Sequence, residues 1–300
     1  MLSELDAFIS YSSKNRTLAS KMEKALESKG FKVWLDDSDI KRGFLLRKEL
    51  HTMIQQSHVL LLLWSQYAQT SRWVATEILT AYHLDKFIIP CTLDDATLPR
   101  FLTKSISLNI KKINKKIIED IYKTIKNSPA RRNELQPLMI SRNSQLQETI
   151  QQADKMQHLA MTKLENRDLL SAQTIHDETE KLMQQAEKTW RNDLMILNLA
   201  GYHRKNAYML KHWDAIQAGV PPKDPLLADA EQFFFKVLFI NPVEPSALNG
   251  IGSVMTLEGE LDAAEFFQKI AIQYGEKDGK RFDAARHDLE MINYFRKKAQ

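Results

Sequence analysis

One cysteine, Cys91, in 300 residues excludes an internal disulfide framework and fits a reducing compartment. It lies in the stretch FIIPCTL, where a small buried hydrophobe is the expected role. Long apolar runs are also missing. The longest, Val59 to Trp64, falls far short of the roughly 20 residues that span a bilayer, and Met1-Leu2-Ser3-Glu4 does not begin a basic and apolar leader, so a cytoplasmic protein is expected. No Gly-rich phosphate loop occurs, and ordinary NAD redox chemistry is not indicated. The eight histidines, His203 and His212 included, have no metal-ligand spacing, so neither a metal nor a bound cofactor is expected. Ser10, Ser65 and Ser71 lack the context of a nucleophile elbow, which leaves a hydrolase triad without support. What is present, 43% hydrophobic and 27% charged residues, describes a globular chain long enough for one large or two ordinary domains.

Charge divides the chain. Residues 1–130 carry 20 Lys and Arg against 14 Asp and Glu, whereas residues 131–300 carry 22 against 24. Much of the basic excess is Lys111, Lys112, Lys115, Lys116, Lys123 and Lys126, interleaved with Ile113, Ile117, Ile121 and Ile125 at helical spacing. This reads as an amphipathic helix with a solvated basic face; no aromatic stacking platform accompanies the charge, and nucleic acid is not an expected partner.

Residues 1–130 alternate strands with helices. Strands are expected at Asp6 to Tyr11, Lys32 to Leu35, His58 to Leu63, Phe87 to Thr92 and Ile106 to Leu108. Ser12-Ser13 is a candidate cap for a first helix built on Leu18, Met22, Ala25 and Leu26 and stopped at Gly30; Leu45, Leu46, Leu50 and Ile54 make a second. The pattern predicts a five-stranded parallel sheet of flavodoxin-like type with helices on both faces. Around Leu60 to Glu77 an apolar strand, a Ser-rich turn, and then Trp73 and Glu77 four residues apart place an indole and a carboxylate on one helix face beyond a strand end, where such sheets bind ligands. By spacing alone the alternative stays open: Trp73 as core and Glu77 as solvated helix surface.

DAFISYSS, GFKVWLDD with Ile40 and Gly43, and SxxxxxSxWxxxE from Ser65 to Glu77 together resemble a bacterial Toll/interleukin-1 receptor (TIR) domain, over about 110 residues. The resemblance implies that Glu77 is catalytic in cleaving NAD+ and that Phe8, Ser10, Tyr11, Ser12, Trp34, Arg42, Ser71 and Trp73 bind this substrate. It implies that the loop with Asp36, Asp37, Ile40 and Gly43 mediates assembly. Ser12 stands where animal relatives often have Arg, and Arg42, Lys41 or Arg72 are alternatives for the phosphates.

The chemistry can be reasoned separately. Nicotinamide departs neutral from a cationic pyridinium, so no general acid is required, and the transition state resembles an oxocarbenium ion. One placed carboxylate can stabilise it. Water capture gives ADP-ribose and internal capture a cyclic isomer; the residues leave both open.

Residues 131–190 are expected to be a helical linker region, with one long or two shorter helices over Leu146 to Trp190. Over 191–300, Asp229 to Phe234 recurs as Ala263 to Phe267, with Ala230 and Ala264 offset by 34, and Leu197 to Gly201 recurs as Leu248 to Gly252, offset by 51. The first period resembles tetratricopeptide (TPR) repeats. The resemblance implies an all-α array with an insertion at Lys211 to Pro225, a break at Asn241-Pro242 and a final helix from Phe282 to Lys297. Phe233, Phe234, Phe266 and Phe267 are the expected core, with Ala200, Gly201, Gly250, Gly252, Ala264 and Ala271 at close approaches. Trp190, Trp213, Phe235 and Phe239 are candidate contacts for self-association or for a protein or peptide trigger; a bundle that merely dimerises is the alternative.

The combination implies an NAD+ glycohydrolase switched on by assembly into a dimer or filament, in prokaryotic antiphage defence. The alternatives are a non-catalytic TIR adaptor or a virulence factor that binds other TIR domains.

Overall fold

The computed structural model describes residues 5–35, 45–110, 113–132, 144–277 and 281–298, with only the backbone for 45–49. The chain divides into two compact units, Met1–Pro137 and Leu138–Gln300.

The first unit is built on a parallel sheet of five strands: β1 (Leu5–Tyr11), β2 (Val33–Leu35), β3 (Ser57–Trp64), β4 (Phe87–Thr92) and β5 (Leu108–Asn109). Their spatial order is β2-β1-β3-β4-β5, the flavodoxin-like order, in which the chain reverses direction between β1 and β3. Around them lie α1 (Arg16–Glu27), α2 (Leu45–Gln56), the single turn α3 (Gln66–Gln69), α4 (Arg72–His83) and α5 (Lys115–Lys126). β3 is apolar on both sides because both of its faces are covered. Ala7 and Ile9 of β1 share one core with Val59, Leu61 and Leu63 of β3, Met22 and Leu26 of α1, and Ile121 and Ile125 of α5. The alternate residues Phe8, Leu60, Leu62 and Trp64, also buried, face the side on which α2 and α4 pack.

The isoleucines of α5 explain its basic face. Ile117, Ile121 and Ile125 turn to the core, which leaves the lysines outside, where Lys29 of α1 reaches Glu119 at 2.7 Å. Gly30 ends α1 with φ +88°. Two local expectations are corrected. Ser12 and Ser13 do not cap α1: the chain first makes a 3-10 turn over Ser13–Asn15, and Ser12 forms no side-chain cap bond. The fifth strand is Leu108–Asn109, two residues paired with Cys91 and Thr92, because so short an edge has no alternation to mark it.

The second unit is helical throughout its described elements: α6 (Ser144–Glu165), α7 (Leu169–Thr189), α8 (Leu194–Gln217), α9 (Pro225–Ile240), α10 (Pro245–Leu257), α11 (Leu261–Gly275) and α12 (Asp283–Lys298). α6 and α7 share a core with α8 through Leu146, Ala153, Met183, Ala186, Ile196 and Leu199. α8 packs on α9 and α10 on α11, the two helix pairs that the internal repeat marks. The inserted residues continue α8 through a kink at His212 (φ −123°, ψ 20°). Asp224 closes the connection by accepting from Lys211 and His212 at 2.7 and 2.9 Å and capping α9 at Leu226 N. α9 stops at Asn241, before Pro242.

Phe234 and Phe267 are fully buried, whereas Phe233 and Phe266 are only partly so. Of the candidate contact aromatics, Phe235 is corrected. It is buried to 3% exposure, since it follows Phe234 on the inward side of α9. Trp190 and Phe239 are half-buried, as is Trp213.

Candidate functional site

Parallel strands in this order leave a crevice beyond their carboxyl ends where β1 and β3 part. Ser10, next to last in β1, is fully buried on the α4 side, and its Oγ donates to Glu77 Oε2 at 2.5 Å. That length is at the short end of the range for a hydroxyl donating to a carboxylate. Glu77 lies in the second turn of α4 and is 2% exposed. It is not a solvated helix face: α4 turns this side toward β1, so the carboxylate is enclosed together with the serine.

Ser71 starts α4 by accepting from Val74 N at 3.4 Å with its Oγ and from Ala75 N at 3.0 Å with its carbonyl. This cap fixes where the helix begins and hence puts half-buried Trp73 one turn before Glu77. Across the strand, Trp34 of β2 lies in register with Phe8, and their rings stack at 4.9 Å. Phe8 is wholly buried and backs Trp34. Strand alternation turns half-buried Tyr11 to the other face of β1, where it packs with the α1 and α5 core. Ser12 is buried at the end of β1, and its carbonyl accepts from Asn15 N at 2.7 Å. Arg42, Lys41, Asp36, Asp37, Ile40 and Gly43 lie outside the described residues.

Apart from Ser65, the residues that fasten this end of the sheet were not singled out by spacing. Ser65 Oγ donates to Asn15 Oδ1 at 2.8 Å and accepts from Ala68 N at 3.2 Å, tying the exit of β3 to the exit of β1. Asp94 accepts from Gln66 N and Ala96 N, and Trp64 Nε1 donates to the Thr97 carbonyl at 3.2 Å. Only the Ser65 turn had a local sequence cue. Cys91 is buried in β4, where desolvation pushes its thiol far up, and it acts as a small apolar side chain.

Among the described residues no group of His, Cys, Asp and Glu is arranged to hold a metal ion, and no helix is long and apolar enough to cross a membrane.

A flavodoxin-like sheet with a serine-held carboxylate and two indoles at its carboxyl end defines a doubly wound α/β domain with a candidate ligand site. Residues 7–119 match the family model of the TIR domain, and a long helical region follows them. No curated protein and no solved structure matches the chain.

Proposed function

We propose that the TIR domain cleaves NAD+ between nicotinamide and ribose, with Glu77 as the catalytic carboxylate. The observation that carries this reading is the short bond from Ser10 to Glu77 at the carboxyl end of β1. A carboxylate held in one rotamer needs no reorganisation when positive charge develops at the anomeric carbon, which is the condition for electrostatic stabilisation. Ser10 is a positioning residue. Trp73 and Trp34 are the aromatic walls for nicotinamide, and Ser71 places Trp73 through the helix start. The product is ADP-ribose or a cyclic isomer, according to which nucleophile captures the cation. We assign activation to self-assembly, with the helical region as a TPR-like association module that answers a protein or peptide trigger. Unchecked NAD+ loss is lethal, and a gated activity of this kind suits bacterial defence against phage.

The test is nicotinamide release by wild type and Glu77→Gln over a protein concentration series, with products resolved by chromatography. Glutamine is preferred to alanine because position 77 is buried and a truncated side chain would leave Ser10 without its acceptor. Turnover that rises faster than concentration and vanishes in Glu77→Gln supports the assignment. Undiminished turnover in the variant overturns it.

The near-complete burial of Glu77 favours a second reading, a non-catalytic TIR scaffold in which the Ser10 bond only fastens α4 to the sheet. No turnover at any concentration, with self-association unchanged in Glu77→Gln, is the outcome that selects it.

A further inference from the structure

The helical unit contains a cavity of about 530 Å³ between α6, α8, α10 and α12, a volume that suits a small-molecule site. Three carboxylates line it, Asp154, Glu165 and Asp288, against one ammonium, that of Lys205. These charges are not equivalent.

Lys205 and Asp288 answer each other. The ammonium lies over the Tyr202 ring at 5.0 Å, and the charge of Asp288 opposes the burial that lowers the pKa of the lysine. Asp288 Oδ2 also accepts from Asn249 Nδ2 at 2.9 Å, from Gln268 Nε2 at 3.0 Å and from Ser253 Oγ. This part of the wall is a satisfied network that calls for no ligand. Asp154 Oδ1 has His158 Nδ1 at 3.4 Å, one turn along α6. Glu165 is exposed at the cavity rim, with no ion pair or side-chain hydrogen bond among the described residues.

The path of the chain shows what Glu165 faces. Short turns at 166–168 and 190–193 bring α8 back beside α6 in the same direction, and Gln157 Nε2 donates to the Leu199 carbonyl at 3.0 Å. Eight residues further on, α6 has reached Glu165 and α8 has nearly reached Met209, one turn before Trp213. Tyr294 Oη donates to the Gln217 carbonyl at 2.9 Å, which draws the last turns of α12, with Phe295, to the same end. Lys205 lies eight residues before Trp213, about 12 Å back along α8.

One end of the cavity thus combines a carboxylate that nothing answers with an indole, a phenyl ring and the thioethers of Met161, Met209 and Met291. Aromatic faces attract organic cations, and thioethers adapt to irregular apolar guests. The excess of carboxylates over ammonium groups in the lining favours the same sign of ligand.

We propose that this cavity binds a small apolar monocation, an aromatic or alkyl amine, with its ammonium between Glu165 and Trp213 and its body among the methionines and Phe295. The site is separate from the one around Glu77 and stands whether or not NAD+ is cleaved there.

Naphthylethylamine is a suitable probe, and naphthylethanol is its uncharged counterpart of nearly the same shape. Titration calorimetry on the full chain should show one amine bound per chain, at least about fivefold tighter than the alcohol, the size expected of one cation–π and carboxylate contact. Glu165→Gln alters an exposed side chain, so circular dichroism should show an intact fold. The variant should weaken the amine by about the same factor and leave the alcohol unchanged, which places the ammonium at this end of the cavity. Absence of amine binding, equal affinities for amine and alcohol, or an unchanged amine affinity in Glu165→Gln would each overturn the proposal.

Discussion

Ser10 has a single hydroxyl proton, and it goes to Glu77. In Ser10→Ala the enclosed carboxylate loses that donor, so urea unfolding should show a loss of about 1–3 kcal/mol. If Glu77 acts on NAD+, the same variant should lower kcat with little change in KM, because the hydroxyl orients the carboxylate and does not touch substrate. The pairing of Trp73 with Glu77 was legible from a spacing of four, but the burial of Glu77 was not, since its partner is 67 residues away in the chain. Tyr11 was within reach of sequence reasoning. Phe8 and Ser10 share a strand parity that Tyr11 lacks, and parity alone sends it to the opposite core.

A second residue-scale prediction concerns His203. Its Nε2 lies 2.5 Å from Glu180 Oε2, its ring stacks on His176 at 4.1 Å, and its Nδ1 is buried without a hydrogen-bond partner. A neutral imidazole with the proton on Nε2 satisfies this geometry, whereas a second proton on Nδ1 would find no acceptor. Burial, with repulsion from His176, pushes His203 down from 6.5 to about 4, and burial lowers His176 as well. Between these values the unfolded chain binds more protons than the folded one, so this contribution to stability is complete above pH 6.5 and is lost as pH falls toward 4. Melting temperature should therefore fall between pH 7 and pH 5. His203→Gln keeps a donor for Glu180 without the titration and should fall less over that interval; equal slopes would refute the assignment.

At the scale of elements, two glycines of the helical unit face one ring. A Cβ on Gly250 of α10 would stand 2.4 Å from the Phe234 ring of α9, and one on Gly201 of α8 would stand 2.7 Å from it. Phe234 is fully buried, so the ring has little room to yield. Gly250→Ala should cost about 1–3 kcal/mol by overpacking, and Phe234→Leu in the same chain should recover part of that loss. Non-additive melting temperatures for the pair are the readout. Here the repeat was informative: Phe234 and Gln268, offset by 34, are both fully buried, and each faces a glycine, Gln268 against Gly252. The repeat did not show that Gln268 would hold Asp288 and Asn249, because that network depends on α12, which lies outside the period. Four of the five strands were legible because β1, β3 and β4 are buried runs and β2 follows the glycine that ends α1; β5 was displaced because two residues carry no period.

At the scale of the whole molecule, the division of charge near residue 130 coincides with a change of construction, from a sheet covered on both faces to helices alone. Each unit buries its own set of large side chains, Phe8, Ile9, Met22 and Trp64 in the first and Tyr208, Phe234 and Phe267 in the second. A chain with two cores has no obligation to melt in one step. Differential scanning calorimetry should resolve two transitions, or one broad transition whose calorimetric enthalpy exceeds the van't Hoff value. Substitutions assign them: Ser10→Ala should move one component, and Gly250→Ala the other, each leaving its companion within the small shifts expected of distant sites. A single sharp transition displaced equally by both variants would mean that the two cores unfold as one cooperative body, and the fold would then have to be treated as one thermodynamic unit despite its two architectures.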